Sequence, residues 1–78
     1  MSTQIIAHLP GTFYRTPSPD APAYKEVGDA VSEGDVVGLI EVMKSFHELR
    51  ANVSGTVKAF LVSSEEAVMP GQPLVEIE

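Results

Sequence analysis

Apolar and polar residues alternate over short runs in this chain, and no stretch keeps the spacing of an amphipathic helix. The runs are rich in β-favouring residues and are separated by glycine, proline and acidic turn signals. They predict strands at residues 5–9, 12–15, 30–31, 36–40, 49–53, 56–62 and 74–77, a short strand opening at Val68, and an extended stretch at residues 24–27. The pattern predicts an all-β fold.

An internal repeat relates the two halves of the chain. Residues 7–13 align with residues 51–57 at an offset of 44, and residues 31–37 align with residues 68–74 at an offset of 37. The two offsets differ by seven, so the first half must contain seven extra residues between the two aligned segments. We therefore expect two similar four-strand units, one with an added loop, that pair their sheets around a shared core.

The added loop is predicted at residues 16–23, where three prolines, Pro17, Pro19 and Pro22, fall within six positions. Proline removes a backbone donor and biases the preceding residue away from helical geometry, which excludes a central strand or a regular helix. The segment is therefore expected to project from the fold as a loop with little conformational freedom.

The stretch from Glu41 to Phe46 lies between two predicted strands, at the point where the two halves meet. Lys44 is therefore expected at or near the tip of a hairpin. A solvated turn lysine is the ordinary occupant of such a position. Lys25 and Lys58 have no comparable hairpin context, so Lys44 is the lysine that the pattern singles out.

Composition limits the classes of function. The 78 residues make one small domain, residues 1–78, which is too short to enclose both a substrate pocket and a catalytic apparatus. The chain has no cysteine, which excludes thiol chemistry, and its net charge of −6 argues against nucleic-acid binding. No apolar run has the length of a membrane span. Met1 to Gln4 contain no charged leader, so we expect a cytoplasmic location and no membrane partner.

Candidate chemistry outside the hairpin is sparse. His8 and His47 are 39 residues apart, and no third ligand is evident, so no metal site is predicted. No nucleophile and base stand in a recognisable catalytic pattern. Glu65 and Glu66 are expected to form a solvated acidic turn.

The repeat, the small all-β chain and the Glu-x-Met-Lys motif at the central hairpin together resemble the biotinyl domain family. The resemblance covers essentially the whole chain, from residues 10–14 (PGTFY) to residues 74–77 (LVEI). Within the family the chain is similar to the biotin carboxyl carriers of acetyl-CoA carboxylase, which carry a thumb in their first half. The loop at residues 16–23 resembles that thumb in position and composition, and residues 14–21, with the sequence YRTPSPDA, are the most specific part of the match. The resemblance implies a flattened barrel or sandwich of two four-stranded antiparallel sheets.

The resemblance also implies a function. Lys44 would be biotinylated by a biotin protein ligase, with Met43 and Glu41 as the neighbouring motif residues and Thr16 of the thumb contacting the biotin ring. Biotin would then take a carboxyl group from a biotin carboxylase to a carboxyltransferase that acts on an acyl-CoA, with acetyl-CoA as the expected acceptor. The protein itself would be a carrier subunit without a catalytic centre, because the reactive group belongs to the cofactor.

Two positions depart from the family motif Glu-Ala-Met-Lys-Met. Val42 replaces the alanine and Ser45 replaces the second methionine, whereas the methionine before the lysine, Met43, is kept. Lipoyl domains share the fold, but their lysine typically follows Asp or a similar polar residue, so Met43 favours biotin. A lipoyl-type carrier and an unmodified β-sandwich interaction module remain the alternatives.

Overall fold

The computed structural model describes residues 3–78, which form eight strands and no helix. The strands are β1 (Thr3–Ile6), β2 (Gly11–Tyr14), β3 (Ala30–Val31), β4 (Val36–Val42), β5 (Ser45–Arg50), β6 (Gly55–Phe60), β7 (Glu66–Val68) and β8 (Pro73–Ile77). Met1 and Ser2, where the segment predicted to lack a charged leader begins, lie outside the described residues. The all-β prediction is confirmed.

The strands make two four-stranded antiparallel sheets, in the orders β1-β8-β6-β3 and β5-β4-β2-β7. The predicted pair of four-stranded sheets is thus confirmed, but the prediction that each half of the chain makes its own sheet is wrong. Each sheet takes two strands from each half. The reason is that successive strands within each half alternate between the two sheets, so β1 and β3 join β6 and β8, whereas β2 and β4 join β5 and β7.

The core lies between the two sheets and consists of aliphatic side chains and one aromatic ring. Its largest fully buried members include Phe13, Ile40, Leu49 and Leu74. Among the described residues, no polar or charged residue is buried. Burial of each such side chain contributes roughly 1.5–3 kcal/mol, so apolar packing is what holds this cysteine-free domain together.

The backbone hydrogen bonds repeat at the two offsets that the sequence predicted. The Ala7 nitrogen donates to Gln72 over 2.9 Å, and the Ala51 nitrogen donates to Asp35 over 2.8 Å. Ala7 and Ala51 are 44 residues apart, whereas Asp35 and Gln72 are 37 apart. We call residues related by these offsets twins. The halves are therefore related by an approximate two-fold axis.

Gly11 and Gly55 are twins that need glycine for the same steric reason. A Cβ atom on Gly11 would lie 2.2 Å from the carbonyl oxygen of Glu41, and one on Gly55 would lie 2.6 Å from that of Glu78. Glu41 and Glu78 are themselves twins. A side chain at either glycine would force the two backbones apart, which explains why the repeat keeps glycine at both positions.

The register also locates the extra residues of the first half. The Glu26 nitrogen donates to the Asp29 carboxylate, and 37 residues later the Ser63 nitrogen donates to the Glu66 carboxylate. From Glu26 onward, residues of the first half correspond to residues 37 positions later. Up to the end of β2, they correspond to residues 44 positions later. The insertion lies within residues 15–25, a range that includes the loop expected at residues 16–23.

Several strand ends differ from the prediction, with physical reasons. β1 stops at Ile6 and β5 at Arg50, because Ala7 and Ala51 turn their backbone groups toward the loops at Gly71 and Gly34. The strand expected at residues 49–53 is therefore mostly replaced by β5, which begins at Ser45.

The other differences lie in the second half and in the loop. Val68 ends β7 rather than opening a strand. Its partner in β2 is Gly11, and beyond Gly11 stands Pro10, which has no N–H to continue the ladder. β6 ends at Phe60 rather than at residue 62, with one further bond from the Leu61 nitrogen to Leu74. Residues 24–27 form no strand.

Candidate functional site

The hairpin between β4 and β5 turns through two residues, Met43 and Lys44. Val42 pairs with Ser45, and both turn residues have positive φ, +49° for Met43 and +67° for Lys44. This is the backbone of a type I′ turn, which normally uses Asn-Gly or Gly-Gly because side chains disfavour positive φ. A non-glycine residue in this region costs roughly 1–2 kcal/mol. The tip of the hairpin therefore keeps two strained side chains where glycine would relax the turn.

Both turn side chains point into solvent. Met43 is 93% exposed, the largest exposed fraction among the big apolar side chains of residues 3–78. Lys44 is exposed as well, and within residues 3–78 it makes no ion pair and no side-chain hydrogen bond. By contrast, Lys25 contacts Asp35 and the Ala30 carbonyl oxygen, and Lys58 lies 3.8 Å from Glu76. Lys44 presents the least encumbered amine of the three.

A groove of about 430 Å³ lies between the proline-rich loop and the sheet that carries the hairpin. We call it the loop groove. It is lined by Tyr14, Thr16, Pro17, Ser18, Pro19, Phe46, Ser64 and Glu65. Rings and prolines supply apolar surface, and the aliphatic hydroxyl groups of Thr16, Ser18 and Ser64, together with the Glu65 carboxylate, supply hydrogen-bonding groups. Such a mixture suits a small, mainly apolar ring system with a few polar atoms.

The loop groove and the hairpin share strand β5. Phe46, two residues after Lys44, is 59% exposed, and its ring centroid lies 6.1 Å from that of Tyr14 at an interplanar angle of 57°. This is a favourable tilted geometry for two aromatic rings. The two rings form one wall of the groove. A group attached to the tip of the hairpin would therefore have an aromatic surface nearby, on the same strand.

The carboxylate of Glu41 is engaged by strand β2 and makes no ion pair with the lysine of its motif. Its carboxylate accepts a 3.0 Å hydrogen bond from the Tyr14 hydroxyl, across to strand β2. This hydrogen bond is the main reason that the pKa of Tyr14 is raised, with burial and the charges of Glu41 and Glu65 adding to it. Glu41 therefore orients the aromatic wall of the loop groove.

The base of the proline-rich loop is closed by local contacts. The Tyr24 nitrogen donates to the Arg15 carbonyl oxygen over 3.0 Å, which brings the two ends of the loop together. The Arg15 guanidinium lies 4.1 Å from the centre of the Phe60 ring and 3.5 Å from the Glu26 carboxylate. These contacts hold the loop in position over the sheet.

The four site residues expected from the sequence belong either to the hairpin turn or to the surroundings of the loop groove. Lys44 and Met43 form the turn, Thr16 lines the loop groove, and Glu41 supports its wall. Sequence reasoning missed Tyr14 and Phe46 as parts of this wall. An exposed aromatic residue two positions after the motif lysine was the available signal for Phe46.

The two histidines lie apart from this site. His8 lines a second groove of about 390 Å³, whose other residues are Gln4, Ile5, Ile6, Glu48, Leu49, Arg50 and Asn52. These eight residues are four pairs of twins, so the second groove lies on the approximate two-fold axis. His47 belongs to β5. Across residues 3–78, no three histidine, aspartate or glutamate side chains gather as a metal site would require. Nor does that part of the chain contain a helix with the length and hydropathy of a membrane span.

Curated relatives match most of the chain. It is 46% identical, over 87% of its length, to the biotin carboxyl carrier protein of acetyl-CoA carboxylase from Haemophilus influenzae, and 44% identical, over 94% of its length, to that from Chlamydia trachomatis. In both comparisons the match covers 44% of the relative. The chain thus spans less than half the length of these relatives.

Solved structures of carboxylases contain a similar fold. The urea carboxylase of Kluyveromyces lactis superimposes on the whole chain with a TM-score of 0.80 and 27% identity, over 6% of that protein. A single-chain, multi-domain long-chain acyl-CoA carboxylase superimposes on 96% of the chain with a TM-score of 0.78, over 7% of its own length. At 24% identity the second likeness concerns the fold alone.

The family comparison covers nearly the complete chain. The family model described as "Biotin-requiring enzyme" matches residues 3–77. This range includes the hairpin with Lys44, the proline-rich loop and all eight strands. The chain therefore belongs to the biotin-requiring enzyme family.

Proposed function

We propose that this chain is a biotin carboxyl carrier domain that holds biotin covalently on Lys44. The observation that carries the proposal is the exposed amine of Lys44 at the tip of a strained two-residue turn, without a partner among residues 3–78. A type I′ turn is usually formed by glycine, at a lower conformational free energy than by methionine and lysine. A lysine that served only as a solvated surface residue would not require this turn. The strained backbone is explained if a ligase recognises the Lys44 amine at a fixed position on the hairpin.

The residues present fit a biotin group. The loop groove offers apolar walls from the Tyr14 and Phe46 rings, together with the hydroxyl groups of Thr16, Ser18 and Ser64. Biotin combines an apolar sulfur-containing ring with a polar urea, which matches that mixture. We propose that Thr16 contacts the urea and that the aromatic pair packs against the ring.

Lys44 and its neighbours divide the work of attachment. The Lys44 nitrogen, once deprotonated in the ligase, would attack the carbonyl carbon of biotinyl adenylate, so that an amide forms, the acyl–phosphate bond breaks and AMP leaves. Met43, almost fully exposed, offers the ligase an apolar contact beside that nitrogen. Glu41 acts indirectly, since its carboxylate holds the Tyr14 ring of the groove.

The bound biotin supplies a urea nitrogen that accepts a carboxyl group and gives it up again. We propose that residues 1–78 form one domain that visits a biotin carboxylase and then a carboxyltransferase, with acetyl-CoA as the acceptor, in the cytoplasm. The domain positions the cofactor and provides no catalytic group of its own. The relatives named as carriers of acetyl-CoA carboxylase support this assignment.

Incubation with biotin protein ligase, ATP and biotin tests the proposal. Intact-mass spectrometry should show one added biotinyl group, and Lys44→Arg should abolish the addition. Lys58→Arg is the matched control and should leave the addition unchanged, because Lys58 lies within β6 rather than at a turn. An adduct that persists in Lys44→Arg, or loading by a lipoate ligase in place of the biotin ligase, would contradict the assignment.

A further inference from the structure

Glu65 occupies a backbone position where its twin is a glycine. Its φ is +69°, and Gly28, 37 residues earlier, has a φ of +96°. The two residues make the same contact, since the Glu65 nitrogen donates to Phe13 and the Gly28 nitrogen donates to Val57. Positive φ is unfavourable for glutamate and free of cost for glycine. Backbone strain that is present at one twin position and relieved by glycine at the other is a reason to look for a function at the strained position.

The position of Glu65 suggests what that function is. Glu65 is the only charged residue among those that line the loop groove within the described chain, and the remaining lining residues are aromatic, proline or hydroxyl side chains. The carboxylate of Glu41 stands behind the Tyr14 hydroxyl, which adds a second negative charge nearby. Arg15, at the base of the loop, is engaged with Glu26 and Phe60 rather than with the groove. The loop groove is therefore negatively charged at its rim.

We propose that Glu65 makes the loop groove selective for the biotin arm when it carries no carboxyl cargo. The inference rests on the proposed function. The urea of biotin is neutral and donates N–H groups, which a carboxylate accepts. A carboxyl cargo replaces one of these protons with an anionic group. The loaded arm then meets like charge at the groove rim and is released into solvent, where the next active site can receive it.

The energetic scale of this effect follows from its exposure. Glu65 is a surface residue, so its field is screened by water and salt. Removal of one exposed like charge should therefore change the occupancy of the groove by roughly threefold to tenfold rather than by orders of magnitude. The effect should also weaken as the ionic strength rises.

NMR spectroscopy of the biotinylated domain tests the inference without recourse to turnover. The amide signal of Thr16 and the ring signals of Phe46 are compared in three states: unmodified, biotinylated, and biotinylated with a carboxyl cargo loaded by biotin carboxylase, ATP and bicarbonate. Biotinylation should shift these signals, and cargo should move them back toward the unmodified values. In Glu65→Gln, which keeps the backbone strain and removes the charge, the loaded arm should stay in the groove roughly three to ten times more.

A matched control separates local from general charge effects. Glu33→Gln removes the same charge from the turn between β3 and β4, which does not line the loop groove, and should behave like the wild type. Identical occupancies in Glu65→Gln and the wild type would overturn the inference. So would biotinylation that leaves the Thr16 and Phe46 signals unmoved, although the proposed function would then survive. Absence of any biotin adduct would instead remove the proposed function.

Discussion

Residues 15–25 and residues 59–62 occupy equivalent places in the two halves, with eleven residues in the first segment and four in the second, of which residues 59 and 60 still belong to β6. On either side of both connections the backbone hydrogen bonds are the same. The longer connection projects as the proline-rich loop and forms one side of the loop groove. The shorter one leads directly into the turn at Glu65, which forms another side.

The comparison shows how a symmetric framework supports an asymmetric site. β2 receives β7 as its neighbour, so the turn before β7 comes to lie beside the loop that leaves β2. On the other side of the molecule, β6 and β3 meet in the same way, but there the connection is short and the turn has glycine. One copy of the arrangement forms the loop groove, whereas the other has the short connection and Gly28.

Removal of the longer connection should have the largest effect. Deletion of residues 16–23 would join Arg15 to Tyr24, whose backbone oxygen and nitrogen already lie 3.0 Å apart. We expect the fold to persist and carboxyl transfer by the reconstituted carboxylase to fall on the order of tenfold, because the carried ring loses its groove. Circular dichroism and steady-state kinetics measure the two quantities. Unfolding of the deletion variant would show that the loop is structural instead.

Exchange of the twin turn residues should change stability by a smaller amount. Gly28→Glu should lower the free energy of unfolding by roughly 1–2 kcal/mol, since a Cβ there meets no atom within 4 Å and the cost is that of positive φ. Glu65→Gly should raise the free energy of unfolding by about 0.5–1 kcal/mol. The relief of backbone strain in the folded state should exceed the cost of the greater conformational entropy that glycine gives the unfolded chain.

Urea unfolding of both variants measures the exchange, and Gly28→Ala serves as the control that separates backbone strain from charge. Gly28→Ala should lower the free energy of unfolding, as Gly28→Glu does. A stabilising effect of Gly28→Glu would mean that the two turns are not equivalent in backbone geometry.

The smallest effect should come from a pair of twins that differ in charge. Asp35 accepts a hydrogen bond from the Ser32 nitrogen, and its twin Gln72 accepts one from the Met69 nitrogen. The bond from Ser32, followed by the contact with Lys25, lowers the pKa of Asp35. A carboxyl group whose folded pKa is below its unfolded pKa contributes stability above the unfolded value, and this contribution is lost as the pH falls through the folded value.

Asp35→Asn should therefore be less stable than the wild type at neutral pH, with a difference that shrinks below about pH 4. Gln72→Ala should lower stability by an amount that does not change as Asp35 titrates, because the glutamine amide carries no titratable proton. Thermal unfolding at several pH values measures both variants. A difference for Asp35→Asn that grows toward low pH would contradict the lowered pKa.

The strand content, the repeat and the hairpin lysine were all predictable from the sequence. Alternating runs and turn signals predicted the all-β fold, and the two offsets predicted an extra loop between residues 13 and 31. The exact strand ends were less predictable. Ala7 and Ala51 read as strand residues, yet their backbone groups bind the turns at Gly71 and Gly34, which come from distant parts of the chain.

What the sequence determined by itself was local: the order of strands, the stiff loop, and the Glu-x-Met-Lys stretch at a turn. The exchange of strands between the halves, the Tyr14 to Glu41 hydrogen bond and the placement of Glu65 in the loop groove were decided only by the tertiary structure. The reason is physical. Periodicity records which side of a strand faces the core, whereas contacts among outward-facing residues depend on which strands become neighbours.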